Sequence, residues 1–240
     1  MFIYGKFVSF TSCGVGDDVL LLHGYGSKKE SFYYQINFLK NYFRVTAVDF
    51  PCFGASECTD TPWGVKEYAD WLLKFMDASG LKRPHVLAHS FGARVAFKLF
   101  SSENSRFDKL VITGGAGVVK PRSPQYMRQI TRYRRVKRFF PRFAEKHFGS
   151  EEYRALSPLM KKSFKKIVNE DLKECAAKIT APTLLIYGRD DTVTPPSEEG
   201  ETFNSLIAGS SLELMDGGHF CFSEHPNEFN FKLFRFLTES

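Results

Sequence analysis

The stretch His85-Val86-Leu87-Ala88-His89-Ser90-Phe91-Gly92-Ala93-Arg94-Val95-Ala96-Phe97 carries the reading of the fold. His85-Val86-Leu87-Ala88 is a short apolar run, the pattern of a strand buried on both faces, and Phe91 to Phe100 reads as a helix. A sharp strand-to-helix turn needs small residues, because the backbone passes close to itself. Gly92 meets that need, with Ala88 on the other side of the serine. The turn lifts the Ser90 hydroxyl clear of the sheet, and the helix that follows aims its free N–H groups at the same spot. Alone, a small-x-Ser-x-Gly match is weak, since a serine so placed is more often an ordinary helix N-cap.

On either side the same alternation recurs. Val19-Leu20-Leu21-Leu22-His23 ends in Gly24-Tyr25-Gly26, and Phe43 to Asp49 is stopped by Pro51 and Gly54. Leu110 to Thr113, Thr183 to Tyr187 and Leu212 to Met215 complete the strands. Val65, Tyr68, Ala69, Leu72, Phe75 and Met76 form a helical stripe closed by Gly80; Phe229, Leu233, Phe236 and Leu237 form another, opened by Pro226. Phe2 to Phe10, interrupted by Gly5-Lys6, reads as an opening hairpin. Strands separated by helices predict an α/β fold, a mostly parallel sheet flanked by helices, with ligands beyond the carboxyl ends of the strands.

Residues 120–180 break the pattern. Ser123-Pro124 and Ser157-Pro158 each open a helix, with Ile130, Tyr133, Val136 and Phe140 on the first and Met160, Phe164 and Ile167 on the second. The expected organisation is a core of residues 1–119 and 181–240 with residues 120–180 as a basic helical insertion. That segment holds seventeen Lys/Arg against six Asp/Glu, while the rest of the chain is mildly acidic.

The length of 240 residues, with 43% hydrophobic and 25% charged, fits one large domain and excludes disorder and collagen-like repeats. No apolar run is long enough to span a membrane, and Met1 to Lys6 lacks the pattern of a secretory signal. Cys13, Cys52, Cys58, Cys175 and Cys221 are odd in number and without C-x-x-C spacing. They read as free thiols in a reducing cytoplasm, with no disulfide and no metal or organic cofactor.

A serine attacks only when a base takes its proton. Of six histidines, His85 opens a strand, His89 points away from the turn beside Ser90, His147 lies in the insertion and His225 precedes the last helix. His219 follows a strand and the flexible Asp216-Gly217-Gly218, on a loop able to reach a neighbouring strand end. Tyr187-Gly188-Arg189-Asp190-Asp191 leaves another strand with two carboxylates, either of which suits the buried acceptor such a base needs.

In five places the sequence resembles the α/β-hydrolase superfamily: His23-Gly24, Asp49-Phe50-Pro51-Cys52-Phe53-Gly54-Ala55-Ser56, the Ser90 turn, Gly188-x-x-Asp191, and Gly217-Gly218-His219-Phe220. Each is modest; in this order and spacing, over essentially the whole chain, they are specific. Ala88, where glycine is commoner, is a small departure. The resemblance selects Asp191 over Asp190, implies a catalytic set of Ser90, Asp191 and His219, and places a helical cap at residues 120–180. It also implies an oxyanion hole from the backbone N–H groups of Tyr25 and Phe91, whose rings line the acyl pocket. His23 then braces its loop, Asp49 and Ser56 are structural, and a serine nucleophile sets the chain apart from the aspartate-using dehalogenase and epoxide-hydrolase branches.

These readings predict a serine hydrolase of the carboxylesterase or thioesterase type. The alternatives are a triad-dependent lyase or carbon–carbon hydrolase acting on an anionic metabolite, and a non-enzymatic binding protein on the same fold. Ten Lys/Arg between Lys120 and Lys146, opposed only by Glu145, suggest an attractive field over the site for an anionic small molecule or an acidic carrier protein. Lys161, Lys162, Lys165 and Lys166 read as a solvated helix face. Tyr126, Ile130, Tyr133, Phe139 and Phe140 make peripheral membrane contact a third option, and no motif points to nucleic acid. The oligomeric state is not legible.

Overall fold

The computed structural model describes residues 1–119, 128, 131, 132, 135 and 151–239. Nine strands are described in chain order: β1 (Phe2–Ile3), β2 (Lys6–Phe7), β3 (Phe10–Cys13), β4 (Asp18–Leu22), β5 (Arg44–Val48), β6 (His85–His89), β7 (Leu110–Thr113), β8 (Thr183–Gly188) and β9 (Ser211–Met215). The last seven form one sheet in the order β3-β5-β4-β6-β7-β8-β9, parallel throughout except for β3, which pairs antiparallel with β5.

Helices cover both faces, which is why the inner strands read as unbroken apolar runs. Leu20, Leu22, Val86, Ala88, Leu110 and Ile112 join one core with α2 (Val65–Ser79) and α3 (Phe91–Ser102). Their neighbours Val19, Leu21, Leu87 and Val111 join a second core with α1 (Tyr33–Leu39) and the C-terminal helix Pro226–Thr238. Successive residues thus alternate between two buried faces. α2 opens with the Gly64 N–H on the Glu67 carboxylate at 2.8 Å. It closes at Gly80, whose φ of 72° few other residues adopt.

The chain steps from β4 outward to β5, then crosses back over β4 to β6. The strand order therefore reverses between β4 and β6, the place where such sheets open a crevice beyond their carboxyl ends. The loop His23-Gly24-Tyr25 and the turn at Ser90 leave these two strands side by side.

Three expectations are corrected. The opening hairpin ends at Phe7, with Tyr4 and Gly5 at φ 52° and 74° forming its turn, and Phe10 starts an edge strand of the main sheet. Cys52 and Cys58 are joined in a disulfide, while Cys13, Cys175 and Cys221 are free. The loop between them folds around Asp49, and the fold, not sequence spacing, brings the two thiols together. A disulfide belongs to an oxidising environment, so the cysteines do not point to a reducing cytoplasm. Finally, His89 does not point away from the site, as shown below.

Between β7 and β8 the described residues form helices α4 (Glu151–Ala155), α5 (Pro158–Val168) and Lys173–Ala176. Ser157 caps α5 by accepting the Met160 N–H at 3.2 Å, and Met160 and Ile167 of the expected stripe are buried. The Ser123-Pro124 helix with Ile130, Tyr133, Val136 and Phe140, as well as His147, lies outside the described residues, as do Tyr126, Phe139 and most of the ten cations from Lys120 to Lys146. Among the described residues no helix is long and apolar enough to cross a membrane, and no cluster of His, Cys, Asp or Glu is arranged to hold a metal ion.

Candidate active site

Ser90 stands between β6 and α3 with φ 51° and ψ −105°, a conformation that a residue with a Cβ adopts only under strain. The turn is forced by close packing. A Cβ on Gly92 would lie 2.2 Å from the Leu22 carbonyl oxygen, so only glycine lets the first turn of α3 press against the end of β4. Phe91 is the first residue of α3, and its N–H is among those without an acceptor inside the helix. A Cβ on Gly24 would stand 3.5 Å from the Ser90 Cβ, which fixes how closely the Tyr25 loop approaches the serine.

Asp191 follows β8 and is buried, whereas Asp190 is exposed. Its Oδ2 lies 2.8 Å from His219 Nδ1. Burial opposes ionisation of this carboxyl, but hydrogen bonds from His219 and from the backbone and hydroxyl of Thr194 outweigh it and hold Asp191 below the ordinary carboxylate range. The Ser90 N–H donates to the Thr113 carbonyl at 3.2 Å, and the residue that follows β7, Gly114, lies against the imidazole, where a Cβ would be 3.1 Å from His219 Nδ1. The structure therefore gathers Ser90, Asp191, His219, Tyr25 and Phe91 at the carboxyl ends of neighbouring strands.

Two residues without a sequence-level role complete the surroundings. His89 lies beneath the His219 loop, its Nε2 3.0 Å from the His219 carbonyl and its ring 4.7 Å from the His219 ring. Burial pushes His89 down to about 3, so it stays neutral and its Nε2–H donates. Thr194 places its hydroxyl 2.7 Å from Asp191 Oδ2. The signal for Thr194 is local, since Asp191 Oδ1 accepts the N–H groups two and three residues on, as an aspartate in a turn commonly does.

The supporting residues behave as expected. His23 accepts the Phe50 N–H at Nε2 and bonds the Gly24 carbonyl through Nδ1, with burial lowering it to about 4. Asp49 is fully buried and takes the N–H groups of Lys29 and Ala55 together with the Lys29 ammonium, while Ser56 donates to its carbonyl. His225 precedes the last helix and makes no side-chain cap.

Aromatic rings enclose the space above. Tyr25 meets Phe53 at 4.9 Å, Phe164 of α5 at 5.1 Å and Phe91 at 5.8 Å, and its hydroxyl donates to the Met160 carbonyl at 3.2 Å. The site is thus a polar rim on the core facing an aromatic wall partly made by α5.

Comparison with known proteins gives the same picture. The model of a family described as the alpha/beta hydrolase fold matches residues 18–174. A 2-hydroxy-6-oxononadienedioate/2-hydroxy-6-oxononatrienedioate hydrolase of Escherichia coli is 28% identical, over 96% of this chain and 91% of its own length. A pimeloyl-[acyl-carrier protein] methyl ester esterase of Aeromonas hydrophila is 24% identical, over 92% and 96%. The crystal structure of an esterase from Exiguobacterium antarcticum, 23% identical, superposes with a TM-score of 0.79 over 98% of this chain and 97% of that one, a likeness of fold.

Proposed function

The chain belongs to the alpha/beta hydrolase fold family, and from that premise we propose that it is a serine hydrolase cleaving an ester or thioester through an acyl-enzyme on Ser90. The observation that carries the reading is the buried Asp191 bonded at 2.8 Å to His219, which lies against Gly114, while the strained turn at Ser90 is hydrogen-bonded to the preceding residue, Thr113. A binding protein needs neither.

In the proposed reaction His219 takes the Ser90 proton as the hydroxyl oxygen attacks the substrate carbonyl. Asp191 fixes the tautomer, with Nδ1 carrying hydrogen, and stabilises the imidazolium. The backbone N–H groups of Tyr25 and Phe91 receive the oxyanion, each contributing about 3 kcal/mol to transition-state stabilisation. His219 then protonates the leaving group, and water repeats the sequence to release the acid. The aromatic wall of Tyr25, Phe53, Phe91 and Phe164 receives the acyl chain.

The proposed substrate is anionic or carried by an acidic protein. Arg128, Arg132 and Arg135, one helical face by their spacing, line a surface depression together with Thr131 in the segment proposed as the cap. A second reading, hydrolysis of a carbon–carbon bond in a dicarboxylate, draws support from the relative that is 28% identical.

A fluorophosphonate probe and a panel of p-nitrophenyl esters of graded chain length test the proposal. Wild type is expected to label at Ser90 and turn over at least one ester, and Ser90→Ala to do neither while keeping its thermal midpoint. Undiminished turnover by Ser90→Ala overturns the assignment. Turnover of a vinylogous diketone acid with no ester activity favours the second reading.

A further inference from the structure

Asp191 has four hydrogen-bond donors around it. Oδ1 accepts the N–H groups of Val193 at 2.8 Å and Thr194 at 2.9 Å; Oδ2 accepts His219 Nδ1 at 2.8 Å and Thr194 Oγ1 at 2.7 Å. Thr194 Oγ1 also lies 3.1 Å from His219 Nδ1 and 3.1 Å from the Gly114 carbonyl oxygen. The residue is buried, so this hydroxyl has little access to water as a partner.

A threonine hydroxyl has one hydrogen and two lone pairs. Its one hydrogen has two acceptors in reach, the Asp191 carboxylate at 2.7 Å and the Gly114 carbonyl at 3.1 Å, and it goes mainly to the nearer, charged Asp191 Oδ2 with Gly114 as the weaker partner. A lone pair of Oγ1 is then free to face His219 Nδ1, whose hydrogen is shared between Oδ2 and Oγ1. Thr194 is a hub that touches both the carboxylate and the imidazole and reaches no reacting atom.

We infer that Thr194 is a positioning residue of the proposed catalytic set, its hydroxyl locking Asp191 against His219 and drawing off part of the carboxylate's charge. The inference rests on the Ser90–His219–Asp191 reading. Without the Thr194 hydroxyl Asp191 loses one of the hydrogen bonds that hold its carboxyl below the ordinary range, and His219 Nδ1 loses the second oxygen that shares its hydrogen.

Other polar groups face the pair. His89 on β6 is neutral through burial, burial raises Tyr187 of β8 well above its usual range, and Cys221 is pushed up to about 11. None of these three changes charge near neutrality. Glu224 accepts the Gly218 N–H at 2.7 Å, and Glu199 lies beyond Tyr187; both remain in every variant below.

The test compares wild type, Thr194→Val, which keeps the shape and loses the hydroxyl, and Thr194→Ser, which keeps the hydroxyl. For an activated ester, Thr194→Val is expected to lose about tenfold in kcat with KM within about twofold, the scale of one hydrogen bond to a charged group. The acid limb of its kcat/KM profile is expected to move by about half a pH unit or more, and Thr194→Ser to restore both values. Thr194→Ala replaces Thr194→Val should the latter fail to fold. The same comparison by NMR titration of the His219 imidazole needs no turnover, and fluorophosphonate labelling reports separately on the catalytic reading. An unmoved acid limb and titration in Thr194→Val, or a Thr194→Ser variant as defective as Thr194→Val, overturns the inference.

Discussion

Asp190 and Asp191 are neighbours of identical chemistry in opposite surroundings, one in solvent and one buried under His219. Asp190→Asn is therefore expected to leave ester turnover within about twofold of wild type. Asp191→Asn, which offers Nδ1 a poorer acceptor and permits the wrong tautomer, is expected to lower kcat by about a thousandfold or more. Equal effects in a steady-state assay would reverse the assignment. The choice between the two shows where residue-level reading stops. Ser90, His219 and the acidic pair are legible because each follows a strand and a turn. Burial, which separates Asp191 from Asp190, is a property of the fold, and here only family spacing stood in for it. Thr194 escapes notice, and His89 reads as facing away, for the same reason. A threonine before a proline and a histidine inside a strand have no pattern that announces a contact with a loop far along the chain.

At the scale of elements, α5 is attached by its end as well as by its stripe. Arg94 of α3 is buried and donates to the carbonyls of Ile167 at 2.9 Å and Glu170 at 3.1 Å, a cation at the end of α5 where its dipole is negative. The Trp63 N–H meets Ser163 Oγ at 2.9 Å nearer the helix centre. Arg94→Met is expected to loosen α5, and with it Phe164 and Met160. KM for a long acyl ester should rise by about tenfold while kcat for an acetyl ester stays within about twofold. Parallel kinetics on the two esters check this; equal losses on both would place Arg94 in the core alone. Elements were legible wherever their buried face was apolar. β3 does not read as part of the main sheet because Phe10-Thr11-Ser12-Cys13 is a half-exposed edge with no alternation. α1 is hidden in the sequence because Gln35, on its buried face, is polar: its amide donates to the Phe222 carbonyl and to Asn230.

Across the whole molecule, charge and strain are both unevenly placed. The net charge of +6 arises in residues 120–180, against a mildly acidic remainder. If that field draws in the substrate, kcat/KM for a dicarboxylate monoester should fall steeply between low and physiological salt, since screening shortens its reach to about 8 Å. A neutral ester should barely respond, and matching salt curves would remove the role given to the field. Among the described residues three that carry a side chain have positive φ, Tyr4, Cys52 and Ser90, and of these Ser90 is the proposed nucleophile. Ser90 holds a backbone conformation costing about 1–3 kcal/mol for any side chain larger than hydrogen, so glycine would relax it and alanine would not. A polypeptide tuned only for endurance would therefore carry no side chain at position 90. Keeping a hydroxyl there leaves the molecule slightly less durable than its own architecture permits, and every thermostabilised descendant will be tempted to trade its reactivity for rest.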